Sequence, residues 1–351
     1  MDPLTQGMLG AALPQSTITK SACAKSAKPT PHSKYQVLLA GFLGMLGGMA
    51  ADIDVLIYSK TDPLLFLEYH RQFTHSLIFI PLGGLIIALL AHGIFRKRWH
   101  LQFWQTVAFC TLGYATHALL DTMTSYGTML LWPFDETRYS WRIISIIDPL
   151  FTLPLGLFVL VAALRNNVLW ARLGLAWALI YLGAGWWQHQ NAREIAGELA
   201  MQRGHKPIRL EVKPSFANIL VWKSVYETKD DFFIDAMRVG IAPRVYEGTS
   251  VSKLNVKENF PWLKDNTQQA KDVTRFTRFS NGYTALDPKN SNRIIDVRYS
   301  FVPNEISALF SIELRPDAKP TEHVQYKTHR EKASEKFSQL WHMLTERSAK
   351  Q

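Results

Sequence analysis

The chain has 351 residues, with 39 Lys and Arg against 29 Asp and Glu, and a net charge of +10. That length allows about two domains, and the basic excess is spread over both halves with no dominant basic tract, which argues against nucleic acid as a partner. Only two cysteines are present, Cys23 and Cys110, too few for a disulfide scaffold or a thiolate metal site.

The opening, MDPLTQGMLGAALPQ, lacks the basic start of a secretory signal. Its apolar segment 3–18 is short and carries prolines, which predicts a half-span or an interfacial helix. Five runs then approach the roughly 20 apolar residues needed to cross a bilayer. They lie at 35–51, 77–95, 101–120, 149–164 and 168–187. Gly is frequent in the first, which suits close helix packing, and Trp186 and Trp187 end the fifth like an interfacial belt.

Basic residues alternate along the connections. The linker 19–34 carries Lys20, Lys25, Lys28 and Lys34, the second and third runs are joined by Arg96, Lys97 and Arg98, and the turn before the fifth is flanked by Arg165 and Arg172. Positive residues stay on the cytoplasmic side. Loops 52–76 and 121–148, and everything after 190, are therefore expected on the opposite face, which in a bacterium is the periplasm or exterior.

Residues 188–204 read as a polar helix leaving the last span. Beyond them 207–214, 216–226, 231–241, 292–302 and 306–314 alternate or carry β-formers, and 329–347 has the pattern of an amphipathic helix. The fold class predicted is an α-helical polytopic membrane domain over 1–190, a connecting helix over 191–204, and a small β-rich α+β extramembrane domain over 205–351.

Ionisable residues at the ends of membrane spans are costly and mark function. With the threading above, Asp52, Asp54, His70, His75, His117, Asp121 and Asp148 all fall at one face. His117 and Asp121 are four apart and share a helix face. Imidazole and carboxylate together suit Zn, Mn or Fe. Asp52 and Asp54 are two apart, roughly 200° on an α-helix, so the helix must end or unwind there if both bind metal. Otherwise one of them orients a histidine or acts as general base. Arg71 is placed to bind a phosphate or carboxylate, or to anchor to lipid headgroups. Thr74 and Ser76 read as caps of the second span, Asp148 as the N-cap of the fourth, and Gly127 as the turn in a mouth formed by 122–132.

The motifs MDPLTQGMLGAAL, DIDVL, HRQFTHSL, HALLDTMTSYGTMLLWPF and IIDPLF together resemble the YdjM-like membrane-bound metal-dependent hydrolases over residues 1–190. The resemblance implies a divalent metal ion and hydrolase activity, with Asp52, Asp54, His70, His75, His117 and Asp121 at the family's polar positions. Many members carry a histidine near the N-terminus, where this chain has Thr5-Gln6-Gly7. The position of the cluster suggests the lipid bilayer as partner and an ester or phosphoester of a lipid or lipid-linked compound as substrate. A buried His/Asp cluster also suits proton or metal-ion transport, or a metal that only stabilises the bundle. The grouping of the polar residues at one end of the spans favours chemistry there over conduction.

Overall fold

The computed structural model describes residues 1–19, 35–240, 243–330 and 333–345. The basic linker with Lys20, Lys25, Lys28 and Lys34 lies outside them, as does Cys23. Two compact units form, one from 1–56 and 69–186, the other from 57–68 and 187–351.

The first unit is helical. Helix α1 (Pro3–Thr17) starts at Asp2, whose carboxylate accepts from the Thr5 amide, with Pro at its first position. Helix α2 (Gln36–Ala50) follows and tightens into a 3-10 helix over Ala51–Leu56. After the short α3 (Leu65–Tyr69), two 3-10 turns, Phe73–His75 and Leu77–Phe79, lead into α4 (Ile80–Trp99). Helices α5 (Phe103–Thr122), α6 (Pro149–Arg165) and the 35-residue α7 (Val168–Gln202) complete the set. The span at 168–187 and the polar helix after it are thus one continuous helix.

Helix α2 approaches two neighbours at backbone distance. A Cβ on Gly44 would overlap the Gly10 carbonyl of α1, and one on Gly113 of α5 would overlap the Gly44 carbonyl. Between helices lacking a hydrophobic drive in lipid, such small-residue contacts supply the packing.

Among the described residues, three candidate membrane helices are long and apolar enough to cross a bilayer, Gln36–Leu56, Leu77–Trp99 and Val168–Gln202, and α6 is a shorter apolar helix. Helix α5 falls below that standard for a physical reason. It is packed among α1, α2 and α4, and its buried face carries Thr106, Thr116, His117 and Asp121. Helix α6 instead exposes Leu150, Leu153, Leu157, Leu160 and Leu164. That stripe is too apolar to be left against water.

The second unit holds two four-stranded antiparallel sheets, in the orders β1-β2-β3-β4 and β5-β6-β7-β8. The strands are β1 (Arg209–Pro214), β2 (Val221–Glu227), β3 (Asp231–Arg238), β4 (Arg244–Ser252), β5 (Thr284–Asp287), β6 (Asn290–Asp296), β7 (Phe310–Glu313) and β8 (Gln325–Thr328). Helices α8 (Val256–Asn259), α9 (Gln268–Phe279) and α10 (Ala333–Thr345) accompany them. The five predicted strands correspond to β1, β2, β3, β6 and β7; β4, β5, β8, α8 and α9 are additional.

One core of this unit takes in residues from the 57–68 segment. Leu64 and Leu67 pack with Phe260, Val273, Phe276, Ile294, Ile312, Leu314 and Val324. Arg275 on α9 clamps the same segment, with Nε 2.6 Å from Glu68 and Nη2 2.9 Å from Asp62, while Nη1 reaches buried Asp272 at 3.0 Å.

Candidate metal centre

Three short stretches deliver the polar side chains. The first is the 3-10 segment Ala51–Leu56. With about three residues per turn, residues two apart stand about 120° apart, closer than the roughly 160° an α-helix would leave between them. The unwinding that joint use of Asp52 and Asp54 requires is therefore present. The second is the 3-10 turn Phe73–His75, which buries His75 completely. Its backbone is held by Tyr114, whose hydroxyl donates to the Thr74 carbonyl at 2.7 Å. The third is the last turn of α5, where His117 and Asp121 are both fully buried.

Four donor atoms converge. The Nε2 atoms of His75 and His117 are 3.0 Å apart. Asp52 Oδ1 lies 3.5 Å from the first and 3.4 Å from the second. Asp121 Oδ2 lies at 3.4 and 3.7 Å from the same two nitrogens. A tetrahedral ion with bonds of about 2.0–2.1 Å requires ligand–ligand edges of about 3.3–3.4 Å, so the residues present fit a divalent metal.

The far ring atoms of both histidines are committed in the sense this needs. His117 Nδ1 lies 2.5 Å from the Gly48 carbonyl, which can only accept, so Nδ1 carries the proton. Thr74 donates its hydroxyl to Asp54 Oδ2 at 2.8 Å and accepts from His75 Nδ1 at 2.9 Å. Both Nε2 lone pairs then face the same point, an arrangement that repels unless a cation lies between them. A proton meets the need in part. Burial would lower the His75 pKa, but hydrogen bonds to Asp121, Asp52 and Asp54 outweigh it and raise the value to about 10.

The remaining contacts hold the carboxylates. Gln6 Nε2 donates to Asp121 Oδ1 at 2.9 Å, and the Met1 α-amino group reaches the same oxygen. Arg71 Nε sits 3.0 Å from Asp121 Oδ2, and its Nη1 donates to Thr124 at 3.2 Å. Arg71 is buried and adopts a left-handed backbone with φ of 62°, a conformation that costs energy and clusters at functional sites. Its guanidinium points inward to Asp121, which leaves no anchor to lipid headgroups.

Asp54 and His70 stand beside the four-donor group. His70 Nδ1 is 2.8 Å from Asp54 Oδ1, and Asp54 Oδ2 also accepts the Arg71 amide at 2.9 Å. Asp52, Asp54 and His70 form a second set whose ligand atoms all lie within 4.8 Å of one another. His70 does not join the four-donor set. The hairpin after α5 closes this side: Gly127 turns it with φ of 64°, Thr128 pairs with Tyr139, and Arg138 donates to the His70 carbonyl at 2.9 Å.

Two capping expectations are corrected. Thr74 serves Asp54, and the Ser76 hydroxyl donates back to the Phe73 carbonyl at 2.7 Å, so neither caps the following helix. Asp148 does cap α6, accepting from Phe151 at 3.3 Å, and also takes the Tyr181 hydroxyl at 2.9 Å. Thr74, Thr124, Tyr114 and the Gly48 carbonyl carry no sequence signal as site residues, since each acts by position in space.

A family comparison falls on the same half of the chain. A family model described as YdjM inner membrane protein matches residues 1–192. Inner membrane protein YbcI of Escherichia coli (strain K12) is 28% identical over 156 residues, 42% of this chain and 84% of that one. The uncharacterized protein YfhP of Bacillus subtilis (strain 168) is 24% identical over 140 residues, 40% of this chain and 38% of that one. No solved structure matches significantly.

Proposed function

The chain belongs to the YdjM family of inner membrane proteins, and from that premise we propose that it is a metal-dependent hydrolase acting on an ester or phosphoester at the membrane surface. The observation that carries the reading is the convergence of His75, His117, Asp52 and Asp121 on one point at tetrahedral spacing. A Zn, Mn or Fe ion held there would lower the pKa of a water taken up as a fifth ligand and would polarise a carbonyl or phosphoryl oxygen.

The chain's own residues supply binding and orientation. Asp54, through Thr74, fixes the His75 ring, and Gly48 fixes that of His117. Arg71 and Gln6 steady Asp121. Asp52 and His70 are the partly exposed members, at 20% and 24% of their side chains, so substrate approaches on their side. Exposed Ile53, Val55 and Leu56 interleave with the carboxylates, which favours a lipid or lipid-linked substrate over a fully soluble one.

Five crossings, α2, α4, α5, α6 and α7, are the threading we favour, with the site on the extracytoplasmic face. The support is parity. Residues 57–68 and 187–351 build one folded unit, so an even number of crossings separates them, and α4 to α7 are four.

The test is metal analysis of the purified full chain against His117→Ala and Asp121→Ala, followed by a panel of phospholipids in mixed micelles and soluble phosphoesters. Bound metal in the wild type, its loss in both variants, and turnover lost with it are expected. Metal content unaltered by either substitution would refute the site, and turnover of soluble esters alone would refute the lipid assignment.

A further inference from the structure

Resting on the metal-dependent reading above, we infer that the centre holds two divalent ions, bridged by Asp52, with Asp54 and His70 completing an open second position. Asp52 belongs to both ligand sets, the one with His75, His117 and Asp121 and the one with Asp54 and His70. One carboxylate shared in this way bridges ions about 3.5–4 Å apart, the separation of two-metal phosphoesterases and aminopeptidases.

The two oxygens of Asp54 do different work. Oδ2 accepts from the Arg71 amide at 2.9 Å and the Thr74 hydroxyl at 2.8 Å, which fixes the carboxylate plane. Oδ1 is thereby turned to His70 Nδ1 at 2.8 Å. A nitrogen and an oxygen at that separation, with Asp52 beside them, form an N,O donor set suited to Mn or Fe.

Exposure separates the two positions. The inner set has three fully buried members. The outer set contains the two side chains that reach the surface, Asp52 and His70. Four protein ligands close a site, whereas three leave room for water or a substrate oxygen. The inner ion is therefore the structural partner and the outer one faces the substrate. Two divalent ions with Arg71 outweigh the three carboxylates, so the loaded centre is net cationic. That selects a phosphate ester over an uncharged carboxylic ester.

The experiment loads the purified full chain with Mn2+ alone and reads bound equivalents and the electron paramagnetic resonance spectrum. The wild type is expected to bind two equivalents with an exchange-coupled signal. His70→Ala, at a partly exposed position, is expected to keep one equivalent with an uncoupled signal, and the retained ion shows that it is folded. Asp52→Asn is expected to lose the coupling. One equivalent in the wild type, unchanged in His70→Ala, overturns the second ion and leaves the single-metal reading intact. No bound Mn2+ in either protein overturns both.

Discussion

Substituting Gly113 by Ala tests whether the helix packing sets the metal geometry. Gly113 faces the Gly44 carbonyl, and a Cβ there would overlap that oxygen. Ordinary contact needs about 3.5 Å, so α2 and α5 must move apart by at least about 1 Å. One turn further along both helices, His117 Nδ1 donates to Gly48 at 2.5 Å. Separation by that amount stretches the bond to about 3.5 Å, at the limit of a hydrogen bond, and carries His117 away from Asp52. Loss of such a supporting partner lowers metal affinity about 10- to 100-fold, or about 1.4–2.7 kcal/mol. Overpacking costs a further ~1–3 kcal/mol of stability. The assay is competition for Zn2+ against a fluorescent chelator, with melting followed in parallel. Gly93→Ala is the control, because a Cβ at Gly93 meets open space. Affinity for Gly113→Ala within twofold of wild type would show that the helix spacing does not govern the site.

Four further outcomes are expected. His75, with its pKa raised to about 10, stabilises the chelated protein fully below its ordinary value near 6.5. That stability is lost as pH rises through about 10, and metal binding at pH 7 releases about one proton. Melting across pH and calorimetry in buffers of different ionisation enthalpy check this, and proton-neutral binding would contradict it. Lys213 is buried with its amine 3.2 Å from the Tyr299 ring centre, and burial holds its pKa well below the usual lysine range. Its charging costs stability as pH falls, so Lys213→Met should raise stability by about 1–3 kcal/mol, most at low pH; equal melting at pH 6 and 9 for both proteins would sink the assignment. Arg275→Ala removes the clamp on Asp62 and Glu68, and amide exchange should quicken over residues 57–68 by 10-fold or more, as expected for a loss above about 1.4 kcal/mol. Single cysteines at the exposed Thr61 and Asp317, in a Cys-free background, should react with an impermeant maleimide from the same side of sealed spheroplasts.

The candidate site was legible because its residues are out of place. Asp52, Asp54, His117 and Asp121 sit where a membrane helix ought to be apolar, and alternate threading of the runs puts them at one end. The division of labour among them was not legible. Whether Asp54 binds or orients depends on a 3-10 twist after Ala50 and on Thr74, and neither has a pattern in sequence. Gln6 looks like a poor substitute for a histidine, yet it reaches Asp121 from α1. Helix α5 reads as a span by its apolar run, while its buried polar face makes sense only once α1, α2 and α4 surround it. In the second unit β4 was missed because its half-exposed RVYEGTSVS run is weakly apolar and interrupted by Gly248. Helix α9 was missed although Thr267 caps it, accepting from Ala270 at 3.3 Å.

The segment 57–68 imposes an order on biosynthesis. Leu64 and Leu67 leave the ribosome between the first two membrane helices, but the residues that bury them run from Phe260 to Val324. This stretch must therefore wait without its packing partners while some 190 further residues are made. Its two exposed leucines are in that interval a target for chaperones and proteases. A chain truncated after α7 would leave them permanently bare, and degradation of such a product would then report a missing partner surface rather than a failed membrane bundle.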